Sequence, residues 1–178
     1  ALNQNIVTTA NRLIVPLSPD LFCGQAIDTL SRTLPKWIRW AERASQLDIL
    51  QDADYPFPSP TLTFNGHIIQ RYKLRNGSPT RAFQTFFDDL KNRIDTKLIP
   101  NFAESGLIKN TSMSAEDYLL AEIPDFNTLI AASQQTGKPV FTLSQEETGQ
   151  TGNAWENTKL KIEEFDGLFE TLAQRAIQ

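Results

Sequence analysis

Short apolar segments alternate with longer helix-like segments along most of this chain of 178 residues. Four of the apolar runs have the length and composition of strands in a buried sheet: 12–17, 62–72, 118–123 and 139–143. Strands that are joined by helices form right-handed crossovers in a mostly parallel sheet. The alternation therefore predicts one α/β domain over residues 1–178, with a mostly parallel sheet flanked by helices.

The positions of serine and proline predict where the helices begin. Ser18 followed by Pro19 has the pattern of a helix N-cap and a first helical residue, and Ser78 followed by Pro79 repeats it. Pro35 is expected to break or kink the first of these helices, because proline lacks the amide hydrogen that a helix interior needs. Residues 51–61 contain three prolines and predict a loop, and Asn76–Gly77 predicts a turn.

Two further helices follow from the pattern in the second half of the chain. The segment after Thr80 places five apolar residues on one face: Phe83, Phe86, Phe87, Leu90 and Ile94. Pro124 and Asp125 predict the start of another helix, which ends near Gly137. Residues 144–153 read as a polar loop, and residues 154–177 predict a long closing helix.

The carboxyl ends of parallel strands share one edge of a sheet, and ligands of open α/β sheets bind beyond that edge. Polar turns follow Leu17, Tyr72 and Ile123. We therefore expect these three turns to lie on one rim, where a ligand binds. Gly66, inside the second strand, indicates a close approach of another backbone segment.

Few residues could carry catalysis or bind a metal. The sequence contains one histidine, His67, and one cysteine, Cys23, which is too few for a zinc site. The sequence has neither a G-x-x-x-x-G-K-[ST] phosphate loop nor a G-x-S-x-G nucleophile motif. We therefore predict no catalytic residue and no metal ligand, and His67 is expected to be a structural residue of its strand.

The cysteine content and the apolar runs indicate the cellular compartment of the protein and its relation to membranes. A single cysteine excludes an internal disulfide and favours a reducing compartment, so we expect a cytoplasmic protein. No apolar run approaches the roughly 20 residues that span a bilayer. Residues 154–178 are acidic, which argues against binding to a membrane surface.

Basic residues recur at helical spacing in the first half of the chain. Residues 1–109 contain 13 Lys or Arg and 10 Asp or Glu, whereas residues 110–178 contain 4 and 11. Four of these cations follow spacings of four, three and four residues and would share one helical face if Pro35 does not swing them apart: Arg32, Lys36, Arg39 and Arg43. Such a row could bind the phosphates of DNA, or it could be a solvated face balanced by Asp28 and Glu42.

A second basic cluster surrounds the turn after the second strand, and its members are Arg71, Lys73, Arg75 and Arg81. Its position on the predicted rim suits contact with a phosphate or an acidic partner. Solvation of an ordinary basic surface is the other interpretation.

The order of several motifs resembles the ParA/MinD family of partition ATPases. ALNQNIVTTANRLIVPLSPDLF resembles the family's segment that leads into a strand of the type A-D-x-x-I-V-P-L-x-P-D. FNGHIIQRY resembles its G-x-I-x-N-x-Y strand. AEIPDFNTLIAASQQTGKPVFTL is similar to its I-x-D-x-x-x-L-x-x-x-A-x-x-x-x-K-P-V-F-x-L ending. The resemblance covers nearly the whole chain.

The resemblance implies the C-terminal half of a deviant P-loop NTPase fold. Members of the family bind ATP with Mg²⁺, form a homodimer around it and hydrolyse it slowly. The ATP-bound dimer binds DNA or a membrane, and a ParB-like partner stimulates hydrolysis. The cycle serves plasmid partition, chromosome segregation or the positioning of other cargo.

The resemblance also assigns roles to residues of the predicted rim. Pro16, Ser18 and Asp20 would lie beside the nucleotide and the dimer interface. Gln70 takes the place of an asparagine that contacts the adenine, and the adjacent Arg71 belongs to the same rim. Pro124 and Asp125 would begin a loop that passes over the base.

The family's phosphate-binding loop and catalytic aspartates match nothing in this sequence, and the resemblance implies that they would precede Ala1. Without them this chain alone is expected neither to bind nor to hydrolyse ATP appreciably. Two alternatives stay open. The chain could be a stand-alone, non-catalytic module that binds a partner protein or DNA, or an unrelated α/β domain.

Overall fold

The computed structural model describes residues 2–75, 78–110 and 112–177, and these form an α/β structure. Three parallel strands make up the main sheet in the order β1 (Arg12–Leu17), β2 (Thr63–Tyr72) and β5 (Leu119–Pro124). Two short strands, β3 (Leu74–Arg75) and β4 (Ser78–Pro79), form a separate antiparallel pair. The predicted parallel α/β architecture is confirmed, and the predicted turn at Asn76–Gly77 lies outside the described residues.

The helices come before, between and after the strands. They are α1 (Leu2–Thr9), α2 (Leu21–Ala44), α3 (Asp48–Gln51), α4 (Arg81–Arg93), a π-helical turn (Ile94–Leu98), α5 (Ile99–Glu104), α6 (Leu129–Thr136), a 3₁₀ turn (Val140–Thr142), α7 (Gln145–Thr148) and α8 (Gly152–Ile177). In the described part of the chain, no helix combines the length and apolar character needed to cross a bilayer.

One face of the sheet packs against α2, α4, the π-helical turn and α5. We call the buried cluster between these layers the main core, and its largest fully buried members are Ile27, Leu34, Leu90, Ile94 and Phe102. The predicted apolar face of α4 is confirmed at its centre, where Phe87 and Leu90 are buried, while Phe83 and Phe86 are half-buried. Burial of these side chains is the main force that holds the helices on the sheet.

A second, smaller cluster lies under α8. We call it the α8 core, and it consists of Leu129, Val140, Leu143, Ile162 and Phe165. Aromatic pairs extend it: the ring centroids of Phe126 and Phe165 are 4.7 Å apart, and those of Phe141 and Phe169 are 5.1 Å apart.

The C-terminal end of α8 is fastened to the amino ends of the strands. Arg175 Nη1 donates to the carbonyl oxygen of Leu120 at 3.0 Å, and Asn65 Nδ2 donates to the carbonyl oxygen of Ala176 at 3.0 Å. Arg12 Nη1 also donates to Ala176 O, at 2.8 Å. Helix α8 therefore reaches all three strands of the sheet.

Three of the four predicted strands are confirmed, and the fourth is wrong. Residues 139–143 form the 3₁₀ turn with its flanking residues, and Thr142 N donates to Pro139 O at 3.0 Å. Val140 and Leu143 are buried in the α8 core and pair with no strand among the described residues. A short apolar run indicates burial, but it does not distinguish a strand from a buried turn.

The predicted helix starts are wrong by a few residues. Helix α2 begins at Leu21, because Asp20 rather than Ser18 is its N-cap, and the Asp20 carboxylate accepts a hydrogen bond from Cys23 N at 2.8 Å. Helix α4 begins at Arg81, after Ser78 and Pro79 have paired in β4.

The predicted start of α6 at Pro124 and Asp125 is also wrong. Pro124 ends β5, and the helix begins only at Leu129, after a turn through Asp125 and Asn127. Its predicted end is confirmed, since Gly137 is the C-cap with a φ of 67°. The predicted loop at 144–153 contains α7, whose N-terminus has a capping box between Ser144 and Glu147.

Pro35 does not break α2 into separate segments, so the predicted break is wrong. The helix runs without interruption from Leu21 to Ala44, and Pro35 itself is buried. Proline removes one hydrogen bond, to the carbonyl of Ser31 four residues earlier. The buried side chains on both sides of the proline, Leu34 and Ile38 among them, hold the helix on the sheet and offset that loss.

The close approach predicted at Gly66 is confirmed. Its φ is +148°, and a Cβ atom built there would lie 2.4 Å from the carbonyl oxygen of Tyr118. Only glycine fits a backbone conformation with that contact. The glycine thus permits the irregular pairing of β2 with both of its neighbours.

Candidate functional site

The carboxyl ends of the three parallel strands lie along one edge of the sheet, as predicted. Leu17 pairs with Ile69 near the end of β2, and Tyr72 pairs with Pro124 at the end of β5. Asp125 N donates to Tyr72 O at 2.9 Å, which joins the segments that leave β2 and β5. We call this edge the rim.

The rim holds a cavity of about 390 Å³ between the ends of β2 and β5. Four of the residues predicted to contact a nucleotide line it: Gln70, Arg71, Pro124 and Asp125. Its remaining lining residues are Ile123, Phe126, Ile130 and Gln134. We call this cavity the rim cavity. Its volume falls within the usual range for small-molecule sites, about 300 to 1,000 Å³.

Gln70 is the polar group that β2 places at this cavity. Its side chain is half-buried, and its amide hydrogen-bonds to no other described residue. An amide carries a donor and an acceptor side by side, the pattern that pairs with the amino group and ring nitrogen of adenine. Gln70 is therefore available to a ligand.

Arg71 has an unusual backbone conformation beside Gln70. Its φ is +63°, in the left-handed region that residues other than glycine rarely occupy. The pairing of β2 with β5 shifts register at this point, so a β-bulge is part of the cause. Such conformations cost about 1–3 kcal/mol each and cluster at functional sites, where the surrounding structure maintains them.

The turn after β5 is shaped by Asp125. Its Oδ1 accepts from Asn127 N at 2.9 Å, and its carbonyl oxygen accepts from Asn127 Nδ2 at 3.0 Å. Asn127 also has a positive φ, +53°, which asparagine tolerates better than most residues. These bonds hold the segment from Pro124 to Asn127 in a fixed conformation at the mouth of the rim cavity.

A second cavity, of about 400 Å³, adjoins the first and shares Pro124, Asp125 and Phe126 with it. Its other wall is formed by α8, including Thr158, Lys161 and Phe165. The two cavities therefore meet at one loop, the segment that follows β5.

The three rim residues predicted on the β1 side lie apart from the rim cavity. Pro16 is exposed and lines a different, mostly apolar groove of about 430 Å³ between β1 and α2. The Asp20 carboxylate accepts a bond from Cys23 N, and Ser18 N donates to Cys23 Sγ at 3.2 Å. The described contacts of Ser18 and Asp20 thus serve the start of α2.

The four cations predicted to share one helical face do so. Arg32, Lys36, Arg39 and Arg43 are all exposed on the unbroken helix α2. Together they span twelve residues, or roughly 16 Å of helix. We call this row the α2 basic face.

Asp28, which was expected to balance that row, has other partners. Its carboxylate lies 2.6 Å from Arg93 Nη1 and 2.8 Å from Lys97 Nζ, and the hydrogen bond from Lys97 is the main reason that its pKa is lowered. Arg32 Nε donates instead to the backbone carbonyl of Asp28, at 2.9 Å. In the described residues, no carboxylate forms an ion pair with the α2 basic face.

His67 lies in the middle of β2, as predicted, and is 3% exposed. Burial lowers its pKa to about 4, and the nearby Asp95 carboxylate opposes that change. Its Nδ1 atom has no hydrogen-bond partner among the described residues. His67 is therefore neutral at pH 7. Within the described residues, no cluster of three or more His, Cys, Asp or Glu could hold a metal ion.

Several residues of these surfaces were missed in the sequence. Ile130 and Gln134 are four residues apart and present one face of α6 to the rim cavity. Their spacing of four residues would have predicted a shared helical face, had the start of α6 been predicted correctly. Trp40 is 47% exposed beside the α2 basic face, although an aromatic residue in an amphipathic helix is usually counted as core.

Comparison of the chain with protein families, with curated proteins and with solved structures finds no match.

Proposed function

We propose that the rim cavity binds the base of a nucleotide, and that the chain is the C-terminal portion of a ParA/MinD-like ATPase. The observation that carries this proposal is the lining of the rim cavity. Gln70, Arg71, Pro124 and Asp125 come from two segments about 50 residues apart in sequence, and they meet around one cavity. The family resemblance selects Gln70, Pro124 and Asp125 independently of that cavity, and Arg71 belongs to the basic cluster predicted at the rim.

The residues of the rim cavity fit a purine base. The Gln70 amide would pair with the edge of the ring, while Phe126 and Ile130 supply apolar contact. The three parallel strands in the order β1–β2–β5 place the segments after β2 and β5 side by side, which the proposed base site requires.

The described residues do not fit the phosphates or Mg²⁺. Tight binding of a triphosphate needs a loop of backbone N–H groups with a lysine, and this sequence has no such motif. In the proposed parent protein, that loop supplies phosphate binding and hydrolysis. This chain then supplies the base side of the site, and the parent works as a homodimer that a ParB-like protein stimulates.

The base-binding part of the proposal can be tested with the chain as it is. ¹⁵N-labelled protein would be titrated with adenosine and, separately, with uridine, each at millimolar concentration. We expect adenosine to shift the amide signals around Gln70 and Asp125 more than uridine does. Gln70→Leu should remove this preference. Gln46→Leu, which replaces an exposed glutamine just after α2, should keep it.

Equal shifts with the two nucleosides, or an unchanged preference in Gln70→Leu, would contradict base recognition at the rim. Membership of the ATPase family has its own test, the intact mass of the protein from its source cells. A mass well above 20.1 kDa, with a G-K-G-G-x-G-K-type loop encoded upstream, is the expected result. A mass near 20.1 kDa without such a loop would favour the stand-alone module.

A second candidate function, nucleic-acid binding, is favoured by the α2 basic face. Its four cations are exposed on one helix, and Asp28 is paired with Arg93 and Lys97. Phosphates of DNA or RNA would bind such a row without reading the sequence. This role is compatible with the partition ATPase and with the stand-alone module.

The test is the charge reversal Arg39→Glu, with affinity for a labelled oligonucleotide measured at low salt. We expect weaker binding to every sequence tried, since the contact is to phosphate. Lys159→Glu, a matched reversal on α8, should change affinity little. Unchanged binding in Arg39→Glu would exclude the α2 basic face as the contact surface.

A further inference from the structure

Trp40 lies within the α2 basic face. It follows Lys36 by four residues and precedes Arg43 by three, so the three side chains share one side of the helix. Its ring packs edge-on against Phe57, with centroids 5.6 Å apart and an interplanar angle of 88°. About half of its surface nevertheless stays exposed, 47%.

Trp40 is exposed among cations that form no ion pair with another described residue. Such an arrangement contributes little to the stability of the fold. Burying a tryptophan stabilises a fold, and exposing one forfeits that gain. The edge contact with Phe57 restricts the orientation of the ring, so a ligand that stacks on it meets a partly ordered surface. Cations beside the ring would hold the phosphates that flank a stacked base.

We infer that the α2 basic face binds single-stranded nucleic acid, with one base stacked on Trp40 and the adjoining phosphates on Lys36, Arg39 and Arg43. The inference rests on the proposed nucleic-acid role of α2 and names its substrate class. Bases of a duplex are already stacked on one another, whereas those of a single strand can stack on an aromatic side chain. Any base can stack on a ring, so little sequence preference is expected.

Nearby acids limit the strength of this binding. Glu42 lies on α2 itself, and Asp52 and Asp54 lie on the loop that carries Phe57. All three are exposed and would repel phosphates. If all four cations of the α2 basic face contact phosphates, the logarithm of the binding constant should fall with the logarithm of salt concentration with a slope of about −2.8 for a single strand. We therefore expect affinity that is measurable at low salt and largely lost at physiological salt.

An apolar protein partner is the main competing occupant of this region. Leu47, Ile49 and Tyr55 are exposed near the same end of α2, and they could extend a protein contact around Trp40. The four cations favour the nucleic acid, because a phosphate backbone is complementary in charge to an unpaired basic row. The same experiment distinguishes the two occupants.

The experiment compares fluorescence anisotropy of a labelled single-stranded oligothymidine with that of a labelled duplex of equal length, at low salt. The wild-type chain should bind the single strand more tightly. Trp40→Ala should weaken single-strand binding by roughly ten-fold and leave duplex binding nearly unchanged, because it removes only the stacked base. Leu47→Ala, an apolar truncation nearby, is the matched control and should change neither single-strand binding nor duplex binding. Circular dichroism should show that each variant is folded.

The outcomes separate the two claims. If Arg39→Glu weakens binding but Trp40→Ala weakens binding to neither single-stranded nor duplex DNA, α2 binds phosphates and the stacking inference is wrong. If Trp40→Ala weakens single-strand and duplex binding equally, the single-strand preference is also wrong. If neither DNA binds at low salt, the nucleic-acid role itself fails, and a protein occupant of the Trp40 region becomes the better explanation.

Discussion

The main core and the α8 core differ in how completely they exclude solvent. In the main core Phe102 and Leu90 are 0% exposed, whereas Phe165 and Ile162 of the α8 core are each 8% exposed. The main core is also the larger cluster, and it is covered by four helical segments. Regions with fewer buried contacts open at lower free energy than the rest of a protein. The α8 core is thus expected to be the less stable of the two.

The rim cavity is lined by residues of the central strand and of the segment next to the α8 core. Gln70 comes from the central strand, which packs on the main core, while Phe126 and Ile130 belong to the segment that packs beside α8. A ligand in the rim cavity would contact both the more stable side, formed by β2, and the less stable side, formed by the segment beside α8. Binding should therefore stabilise α6 and α8 more than α2, since a ligand stabilises the state to which it binds.

The largest expected effect is from truncating the main core. Phe102→Ala removes a fully buried ring that packs on Phe64 at a centroid distance of 5.4 Å. We expect a loss of about 3–5 kcal/mol in the free energy of unfolding, which includes the cavity left behind. Urea denaturation followed by circular dichroism measures it. A loss below about 1 kcal/mol would show that this region is not the dominant core.

Acid should destabilise the protein through His67. The folded-state pKa of about 4 lies below the ordinary histidine pKa of 6.5, so the unfolded chain binds the proton more readily between these values. The contribution of His67 to stability is therefore complete above about pH 6.5 and is lost as pH falls toward 4, by roughly 3 kcal/mol in total.

The check on His67 is urea denaturation at pH 7 and at pH 4.5, for wild type and for His67→Gln. Carboxylates with lowered pKa values, such as Asp28, also lose their contributions in acid, so only the difference between the two proteins reports on His67. We expect the variant to lose clearly less stability than the wild type. Equal losses in the two proteins would contradict the burial of a neutral histidine.

Phe165→Ala tests the α8 core in the same way as Phe102→Ala tests the main core. We expect a loss of global stability smaller than that of Phe102→Ala, because Phe165 is less completely buried and its surroundings can relax into the space that is left. Hydrogen exchange should accelerate most in α6 and α8, with α2 and α4 less affected. If exchange accelerated equally in α2, the two cores would unfold as one unit and the comparison would be wrong.

The smallest effect is expected from the ion pairs that join α2 to α4 and the π-helical turn. Asp28→Asn removes the contacts of its carboxylate with Arg93 and Lys97. These groups are partly exposed, so we expect a loss of about 1 kcal/mol or less, and less still at high salt. Thermal denaturation at low and high salt measures it. A salt-independent loss would indicate a packing defect instead.

Much of the fold follows from local pattern. The strand 12–17 coincides with β1, and residues 62–72 differ from β2 by one residue, because β-rich apolar runs between polar turns are a strong signal. The wrong fourth strand and the wrong helix starts share one cause. In each case a competing contact outweighed the local pattern: Val140 is buried in the α8 core, Ser78 pairs with Arg75 in the β3–β4 pair, and Asp20 rather than Ser18 caps α2.

In the candidate sites too, some features follow from local sequence pattern and others depend on the tertiary structure. The spacing of Arg32, Lys36, Arg39 and Arg43 placed them on one face from sequence alone, because helix geometry is local. The family resemblance pointed to Gln70, Pro124 and Asp125, and the basic cluster pointed to Arg71, but the cavity that joins them exists only because β2 and β5 are neighbours in the sheet. Pro16, Ser18 and Asp20 follow the same edge of the sheet, yet Pro16 lines another groove, and Ser18 and Asp20 hydrogen-bond to Cys23 at the start of α2.

The sequence by itself determined the parallel α/β class, the central strands and the helical spacing of the four cations. These features depend on periodicity and on residues close together in the chain. Only the tertiary structure decided that Pro35 stays within a continuous helix, that Asp28 pairs with Arg93 and Lys97, and that Trp40 remains exposed beside the cations. Each of these depends on contacts between segments far apart in sequence, where burial and pairing outweigh local preference.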